Sequence, residues 1–129
     1  MAVTVLIADD NQRFRQAVGQ HLNEDPQIRL VGEACHGEET VQLATELKPD
    51  LVLLDISMLR LNGLDALKQI KAAQPETKVI ILTIHDEECY RRAAADHGAD
   101  GFILKKEFSA ALIPTIQRIM CKEPERGLP

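Results

Sequence analysis

The chain has 129 residues, of which 45% are hydrophobic and 27% are charged, a balance typical of one globular domain that excludes disordered and fibrous classes. Its net charge of −5 argues against a domain that grips a nucleic-acid backbone, because such a domain needs a basic face. With one Tyr, three Phe and no Trp, the core must be built from aliphatic side chains.

The chain begins with a short apolar run, residues 3–8, that has neither a basic segment before it nor a small-residue cleavage site behind it. We therefore expect no signal peptide and no membrane span. Cys35, Cys89 and Cys121 have no paired or metal-type spacing, which suits reduced thiols in the cytoplasm, and we expect them to be packing residues. The four histidines are scattered, so we expect no metal site built from them.

Strand-like and helix-like segments alternate five times along the chain. Short apolar runs with β-branched residues predict strands, and apolar residues spaced three and four apart predict helices between them. The predicted strands are 3–8, 28–35, 51–54, 78–83 and 101–104, and the predicted helices are 12–23, 38–48, 63–73, 86–97 and 110–120. Asn11 or Asp10 is expected to cap the first helix, and Ser109 the last.

This alternation predicts an α/β fold, a doubly wound parallel sheet of five strands with helices on both faces. Right-handed crossovers favour the strand order 2-1-3-4-5, which makes strands 1, 3 and 4 neighbours. The run Leu51-Val52-Leu53-Leu54 has no polar position, as expected for a central strand that is buried on both faces.

Polar side chains lie where the predicted strands end. Asp9 and Asp10 follow strand 1, Asp55 follows strand 3, Thr83 closes strand 4, and Lys105 follows strand 5. Because the carboxyl ends of parallel strands share one edge of a sheet, we expect these groups to converge. Each residue alone is explained more simply, as a helix cap or a solvated charge, but capping does not explain all of them together.

The predicted cluster suits phosphoryl transfer to an aspartate. Crowded carboxylates repel one another unless a cation lies between them, and an oxygen-lined site suits Mg²⁺ (or Mn²⁺), which also recruits phosphate oxygens. Asp55 would attack phosphorus to give an acyl phosphate. Lys105 would neutralise charge on the transferring group, and the Thr83 hydroxyl would donate a hydrogen bond to it.

Five segments together resemble the receiver domain of bacterial two-component response regulators. They are Ile7-Ala8-Asp9-Asp10-Asn11, Leu53-Leu54-Asp55-Ile56-Ser57-Met58, Leu61-Asn62-Gly63-Leu64, Leu82-Thr83 and Gly98-Ala99-Asp100-Gly101-Phe102-Ile103-Leu104-Lys105. The resemblance implies a single (βα)5 flavodoxin-like receiver fold in a domain at 1–121, followed by a linker or disordered tail at 122–129. The wording of the second and last segments is most similar to receivers joined to a LuxR-type helix-turn-helix output domain.

The resemblance implies that Asp55 accepts a phosphoryl group from a sensor histidine kinase. It also implies that Asp10, Asp55 and the Ser57 backbone carbonyl bind Mg²⁺ directly, with Asp9 binding through water. A domain of this kind is a signalling module rather than an enzyme, because it catalyses only its own phosphorylation and dephosphorylation.

The resemblance further implies a two-state switch at Thr83 and Phe102. Thr83 is drawn toward the phosphoryl group, which Lys105 also contacts, and Phe102 turns inward behind it, so that the face formed by helix 4, strand 5 and helix 5 changes shape. The bland alternative for Phe102 is a core aromatic residue.

The output of this switch stays open at the level of the sequence. The wording of the motifs favours the receiver part of a longer transcription regulator, which would bind DNA only through an output domain outside this chain. A stand-alone receiver that binds a partner protein and a pseudo-receiver that is not phosphorylated are the alternatives. Related receivers also form phosphorylation-dependent homodimers, an expectation that Pro114 in the last predicted helix weakens.

Several positions depart from the family pattern. Leu59 and Arg60 replace the usual Pro and a small residue, and Ile84 replaces a small residue; we expect these changes to tune the lifetime of the phosphate rather than to abolish phosphorylation. His85, two residues beyond Thr83, is interpreted as a solvated loop histidine, with an effect on the rate of phosphate hydrolysis as the alternative. Pro114 predicts either a kink in the last helix or a later start of that helix.

Two other classes of protein fit less well. A flavodoxin-like cofactor carrier needs an uncharged phosphate loop after the first strand, where Asp9 and Asp10 would repel the phosphate. A phosphatase or mutase with an aspartyl-phosphate intermediate usually has a second acid two residues after the nucleophile, where this chain has Ser57. Such enzymes also need a substrate-covering cap, for which the chain leaves no room.

Overall fold

A computed structural model describes residues 2–58 and 60–121. The strands are β1 (Val3–Ala8), β2 (Ile28–Ala34), β3 (Leu51–Leu54), β4 (Lys78–Thr83) and β5 (Gly101–Leu104). The helices are α1 (Gln12–Leu22), α2 (Gly37–Leu47), α3 (Gly63–Ala73), α4 (Glu88–Asp96) and α5 (Phe108–Met120), with a 3₁₀ turn at Lys105–Glu107. All strand pairs are parallel, in the order β2-β1-β3-β4-β5, which confirms the predicted topology.

The central strand β3 separates two hydrophobic cores, because its successive side chains point to opposite faces of the sheet. Val52 and Leu54 pack into the core beneath α2 and α3. Leu51 and Leu53 pack into the core beneath α1 and α5. All four side chains are at most 1% exposed, as the apolar run predicted. A strand held from both faces provides a fixed base for the residue that follows it, Asp55.

The first helix begins as predicted, whereas the last does not. The Asn11 side chain caps α1 by accepting a hydrogen bond from the Phe14 amide at 3.1 Å. The prediction that Ser109 caps the last helix is wrong, since α5 starts one residue earlier, at Phe108. The 3₁₀ turn runs directly into α5, so the chain enters the helix from a turn that is already wound.

Pro114 lies inside α5, which continues from Phe108 to Met120. The predicted alternative of a later helix start is therefore wrong. The buried side chains of α5 are Leu112, Ile116 and Ile119, so the helix is fixed by its apolar stripe on both sides of the proline. Packing of this stripe offsets the loss of one backbone hydrogen bond.

The prediction that the three cysteines are packing residues is wrong, because Cys35, Cys89 and Cys121 are all exposed. Each lies at the end of a regular element, where side chains face solvent. Other boundaries differ from the predictions by one or two residues, the usual uncertainty at element ends. The predicted linker at 122–129 lies outside the described residues. In the described part of the chain, no helix has both the length and the apolar character that crossing a bilayer requires.

Candidate functional site

Two buried carboxylates lie side by side at the carboxyl edge of the sheet. The Asp55 amide donates a hydrogen bond to the Ala8 carbonyl at 3.0 Å, and the Asp9 amide donates one to the Ala34 carbonyl at 3.0 Å. Both residues thus extend the strand ladder by one position. Asp9 is 1% exposed and Asp55 is 4% exposed, so each carboxylate depends on protein partners rather than on bulk water.

Lys105 lies between these two acids. Its Nζ is 2.7 Å from Asp9 Oδ2 and 3.2 Å from Asp55 Oδ2, and it also lies 4.5 Å from the centre of the Phe14 ring. Burial by itself lowers the pKa of Lys105, but the hydrogen bond from the ammonium to Asp9 and the charges of Asp55 and Asp9 outweigh burial and raise it. Lys105 therefore stays protonated at neutral pH.

Burial has the larger effect on Asp9. It raises the pKa of the Asp9 carboxyl, and the negative charge of Asp55 raises it further. The hydrogen bonds from Lys105 and from the Asn11 amide lower this pKa but do not outweigh burial. Burial therefore disfavours the ionised form of Asp9, and an additional cation nearby would stabilise that form.

The three predicted acids come together. Asp9, Asp10 and Asp55 each offer a carboxylate oxygen, and the three oxygens lie within 4.8 Å of one another. Two of the acids are buried and Asp10 is exposed. A set of oxygen donors that is open to solvent on one side fits Mg²⁺, which keeps part of its water shell. The Ser57 amide lies 3.4 Å from Asp55 Oδ1, which places the Ser57 backbone beside this set.

Thr83 is fully buried at the end of β4. It pairs with Leu104 of β5, the residue before Lys105, so the sheet brings it to the edge that carries the acids. Its Oγ1 accepts a hydrogen bond from the His85 amide at 3.3 Å. Because the oxygen accepts in this contact, the hydroxyl still has its hydrogen to donate to a second partner.

Phe102 is half-buried on β5. It packs against the core beneath α2 and α3, and the Arg91 guanidinium lies 4.6 Å from the centre of its ring. The ring thus contacts both the core and the Arg91 guanidinium, the latter in a cation–π contact of modest strength.

His85 is a partly exposed loop residue, as interpreted, but its side chain also has defined partners. Its Nε2 lies 2.5 Å from Ser57 Oγ, and its ring centre is 4.9 Å from that of Tyr90. The side chain is 27% exposed. His85 therefore connects the loop after β4 with the loop that follows Asp55.

Sequence reasoning also missed the role of Arg15. Its guanidinium donates to the Asp9 carbonyl, and its Nε donates to Glu33 at 2.8 Å. These contacts tie the loop after β1 to β2. The sequence signal was weak, because an arginine early in a helix is usually a solvated charge.

Ile84, one of the departures expected to tune the phosphate lifetime, is 71% exposed. It lines a cavity of about 160 Å³ together with Leu104 and Lys105. The bulky side chain thus stands next to the residue that contacts both buried acids. Leu59 lies outside the described residues, and Arg60 has a φ of 63°, the left-handed conformation that glycine adopts more easily.

The loop after Asp55 is held by a close approach at Gly63. A Cβ atom at this position would lie 2.0 Å from the Asp55 carbonyl oxygen. The Gly63 amide donates to the Ile56 carbonyl at 2.8 Å, and Asn62 caps α3 through a hydrogen bond from the Asp65 amide at 3.0 Å. The first turn of α3 therefore rests directly on the backbone of Asp55.

A family described as the response regulator receiver domain matches residues 5–117. The response regulator protein VraR of Staphylococcus aureus is 39% identical over 131 aligned positions, which cover 97% of this chain and 62% of that protein. The chain spans 49% to 62% of the length of the curated relatives that it matches first.

Two solved structures share the fold over all or nearly all of their length. The response regulator domain of Thermotoga maritima CheB superimposes with a TM-score of 0.89 at 32% identity, over 96% of this chain and 100% of that one. A DNA-binding response regulator of the LuxR family from Staphylococcus aureus gives a TM-score of 0.85 at 28% identity, over 91% of this chain and 98% of that one.

Proposed function

The chain belongs to the response regulator receiver domain family, and from this premise we propose that Asp55 is the phosphoacceptor for a sensor histidine kinase. The observation that carries the proposal is the position of Lys105, whose ammonium lies 3.2 Å from Asp55 Oδ2 and 2.7 Å from Asp9 Oδ2. A cation next to a buried nucleophilic carboxylate stabilises negative charge on a transferring phosphoryl group.

In the proposed reaction, an Asp55 oxygen attacks phosphorus as the nitrogen–phosphorus bond of the kinase phosphohistidine breaks. Lys105 neutralises charge on the phosphoryl oxygens, and Thr83 rotates to donate its hydroxyl hydrogen to one of them. Mg²⁺, which Asp10, Asp55 and the Ser57 carbonyl would hold directly and Asp9 through water, would supply further positive charge beside the phosphoryl group.

The proposed switch couples this reaction to the surface. Rotation of Thr83 opens space at the end of β4, and Phe102 moves inward from beneath Arg91 to occupy it. Ala94 is the only buried residue of α4 in the described part of the chain. This helix is therefore the weakly packed element that such a change would move. The altered face is formed by α4, β5 and α5.

The proposed setting is a cytoplasmic signalling pathway, which suits three exposed free cysteines in a reducing compartment. The proposed partners are a sensor histidine kinase and, after phosphorylation, a second copy of the chain. In a longer protein we propose that the switch controls a DNA-binding domain of the LuxR type, a proposal that rests on the LuxR-family structure with the same fold.

The test is intact-mass measurement after incubation with Mg²⁺ and acetyl phosphate. We expect one base-labile phosphoryl adduct that requires both Mg²⁺ and Asp55. Asp55→Asn should give no adduct, and Asp96→Asn, which removes an exposed carboxylate of α4, should be labelled like the wild type. Absence of an adduct under conditions that label a known receiver, or labelling of Asp55→Asn, would contradict the proposal. Light scattering of the labelled sample tests for the dimer.

A further inference from the structure

The turn between β2 and α2 brings together a cysteine, a histidine and a glutamate that have no part in the proposed phosphorylation. Cys35, His36 and Glu39 each offer one sulfur, nitrogen or oxygen atom, and the three atoms lie within 4.8 Å of one another. We propose that this turn is a binding site for a borderline transition-metal cation of the Zn²⁺ type. Thiolate, imidazole and carboxylate are the donors that such a cation selects, whereas Mg²⁺ prefers oxygen alone.

The distance between two of the donors already suits a tetrahedral ion. Cys35 Sγ lies 3.4 Å from Glu39 Oε1. Zinc–sulfur and zinc–oxygen bonds of about 2.3 Å and about 2.0 Å at the tetrahedral angle require a sulfur–oxygen separation of about 3.5 Å. The sulfur and the oxygen therefore stand at the two ends of a coordination edge, and a His36 ring nitrogen lies within 4.8 Å of both atoms.

The backbone of the turn is held in place independently of any ion. The Glu39 carboxylate accepts a hydrogen bond from the Cys35 amide at 2.8 Å, and His36 Nδ1 accepts one from the Glu39 amide at 3.2 Å. A Cβ atom on Gly37 would overlap the Leu61 carbonyl oxygen, so the turn is also packed closely against the loop after β3. Such preorganisation lowers the conformational cost of binding.

Helix capping explains part of this arrangement but not all of it. It accounts for the two backbone hydrogen bonds of His36 and Glu39. It does not require a thiol that faces the same carboxylate oxygen. The positive N-terminus of α2 opposes a cation, but Glu38 and Glu39 lie in its first turn and offset this effect. The hydrogen bond from the Cys35 thiol to Glu39 raises the pKa of that thiol, so an ion that binds here has to displace the thiol proton.

The test is a Zn²⁺ titration of the full chain in competition with a chromophoric chelator. Excess Mg²⁺ is present, and the titration is repeated in Asp55→Asn, so that the acidic cluster does not contribute. We expect one ion per chain, and we expect Cys35→Ser to weaken binding by more than about tenfold, at least the effect of losing a supporting residue of a metal site. Cys89→Ser and Cys121→Ser remove thiols that are also exposed and should bind like the wild type.

Two further measurements separate loss of a ligand from loss of structure. His36→Asn keeps a residue that caps helices well but removes the imidazole, so it should bind Zn²⁺ more weakly with an unchanged circular dichroism spectrum. Co²⁺ should give a thiolate-to-metal charge-transfer band in the wild type that Cys35→Ser lacks. Equal affinities of Cys35→Ser and wild type, absence of that band in the wild type, or one ion shared by two chains would each overturn the proposal.

Discussion

Replacing Lys105 with Met removes the ammonium that lies between two buried carboxylates. At the observed distances of 2.7 Å and 3.2 Å, each attraction has a gross value of about 5–6 kcal/mol at an effective dielectric constant of about 20. Desolvation of the ammonium cancels much of this, and the loss of one partner from a buried ionic group costs about 3–5 kcal/mol. Asp9 can take up a proton when its partner is removed, which relieves part of this cost. We therefore expect Lys105→Met to lower the free energy of unfolding by about 3 kcal/mol, the lower end of the range.

The assay is urea unfolding followed by circular dichroism, with a chelator present to exclude divalent cations. Lys106→Met is the matched control, since Lys106 is exposed and its loss should change the free energy of unfolding by less than about 0.5 kcal/mol. If Lys105→Met lowers the free energy of unfolding by less than about 1 kcal/mol at neutral pH, its effect is that of an ordinary substitution. That result would refute this account of the site.

The stabilisation by Lys105 should change with pH in a defined direction. Because the pKa of Lys105 is raised in the folded protein, its contribution is fully present below 10.5, the ordinary lysine value, and is lost as the pH rises through the folded value. At the acid end, protonation of Asp9, whose pKa is already raised, should narrow the difference between Lys105→Met and wild type. A difference that widens as the pH falls would contradict the assigned contacts.

Three other substitutions test the loops around the site. Gly63→Ala, whose Cβ would meet the Asp55 carbonyl oxygen at 2.0 Å, should lower the free energy of unfolding by more than about 2 kcal/mol and reduce acetyl phosphate labelling; Gly19→Ala, with its nearest neighbour at 3.5 Å, should not. Asn62→Ala should cost about 1 kcal/mol through loss of the α3 cap, and Asn62→Asp only a few tenths, both by urea unfolding. Ile84→Ala should speed loss of the phosphoryl group after donor removal, followed by intact mass; an unchanged lifetime would show that the exposed side chain does not restrict water.

The elements that the sequence predicted well are those that one physical pattern dominates. A strand buried on both faces has no polar position, so Leu51–Leu54 was recognisable as the central strand. Once the sheet was known to be parallel, the convergence of Asp9, Asp55 and Lys105 followed, because all parallel strands end at the same edge. Periodicity and topology were sufficient for this part of the site.

The features that were missed depend on loop paths and side-chain rotamers, which periodicity does not encode. His85 meets Ser57 across two loops, and no spacing in the sequence relates these positions. Ser109 has the composition of a cap, but the preceding 3₁₀ turn starts α5 before it. Cys35 belongs to a residue type that is usually buried, yet its place at the end of β2 exposes it.

The contact of His85 with Tyr90 has an optical consequence. Tyr90 is the single tyrosine of a chain without tryptophan, so one ring supplies the tyrosine emission of the whole protein. That ring lies 4.9 Å from the imidazole, which in turn bonds Ser57, two residues beyond Asp55. Any reaction that displaces the imidazole alters the surroundings of the only intrinsic fluorophore of its kind. The protein thus contains an unlabelled reporter of events at its own carboxyl edge, and a fluorimeter can follow them in real time.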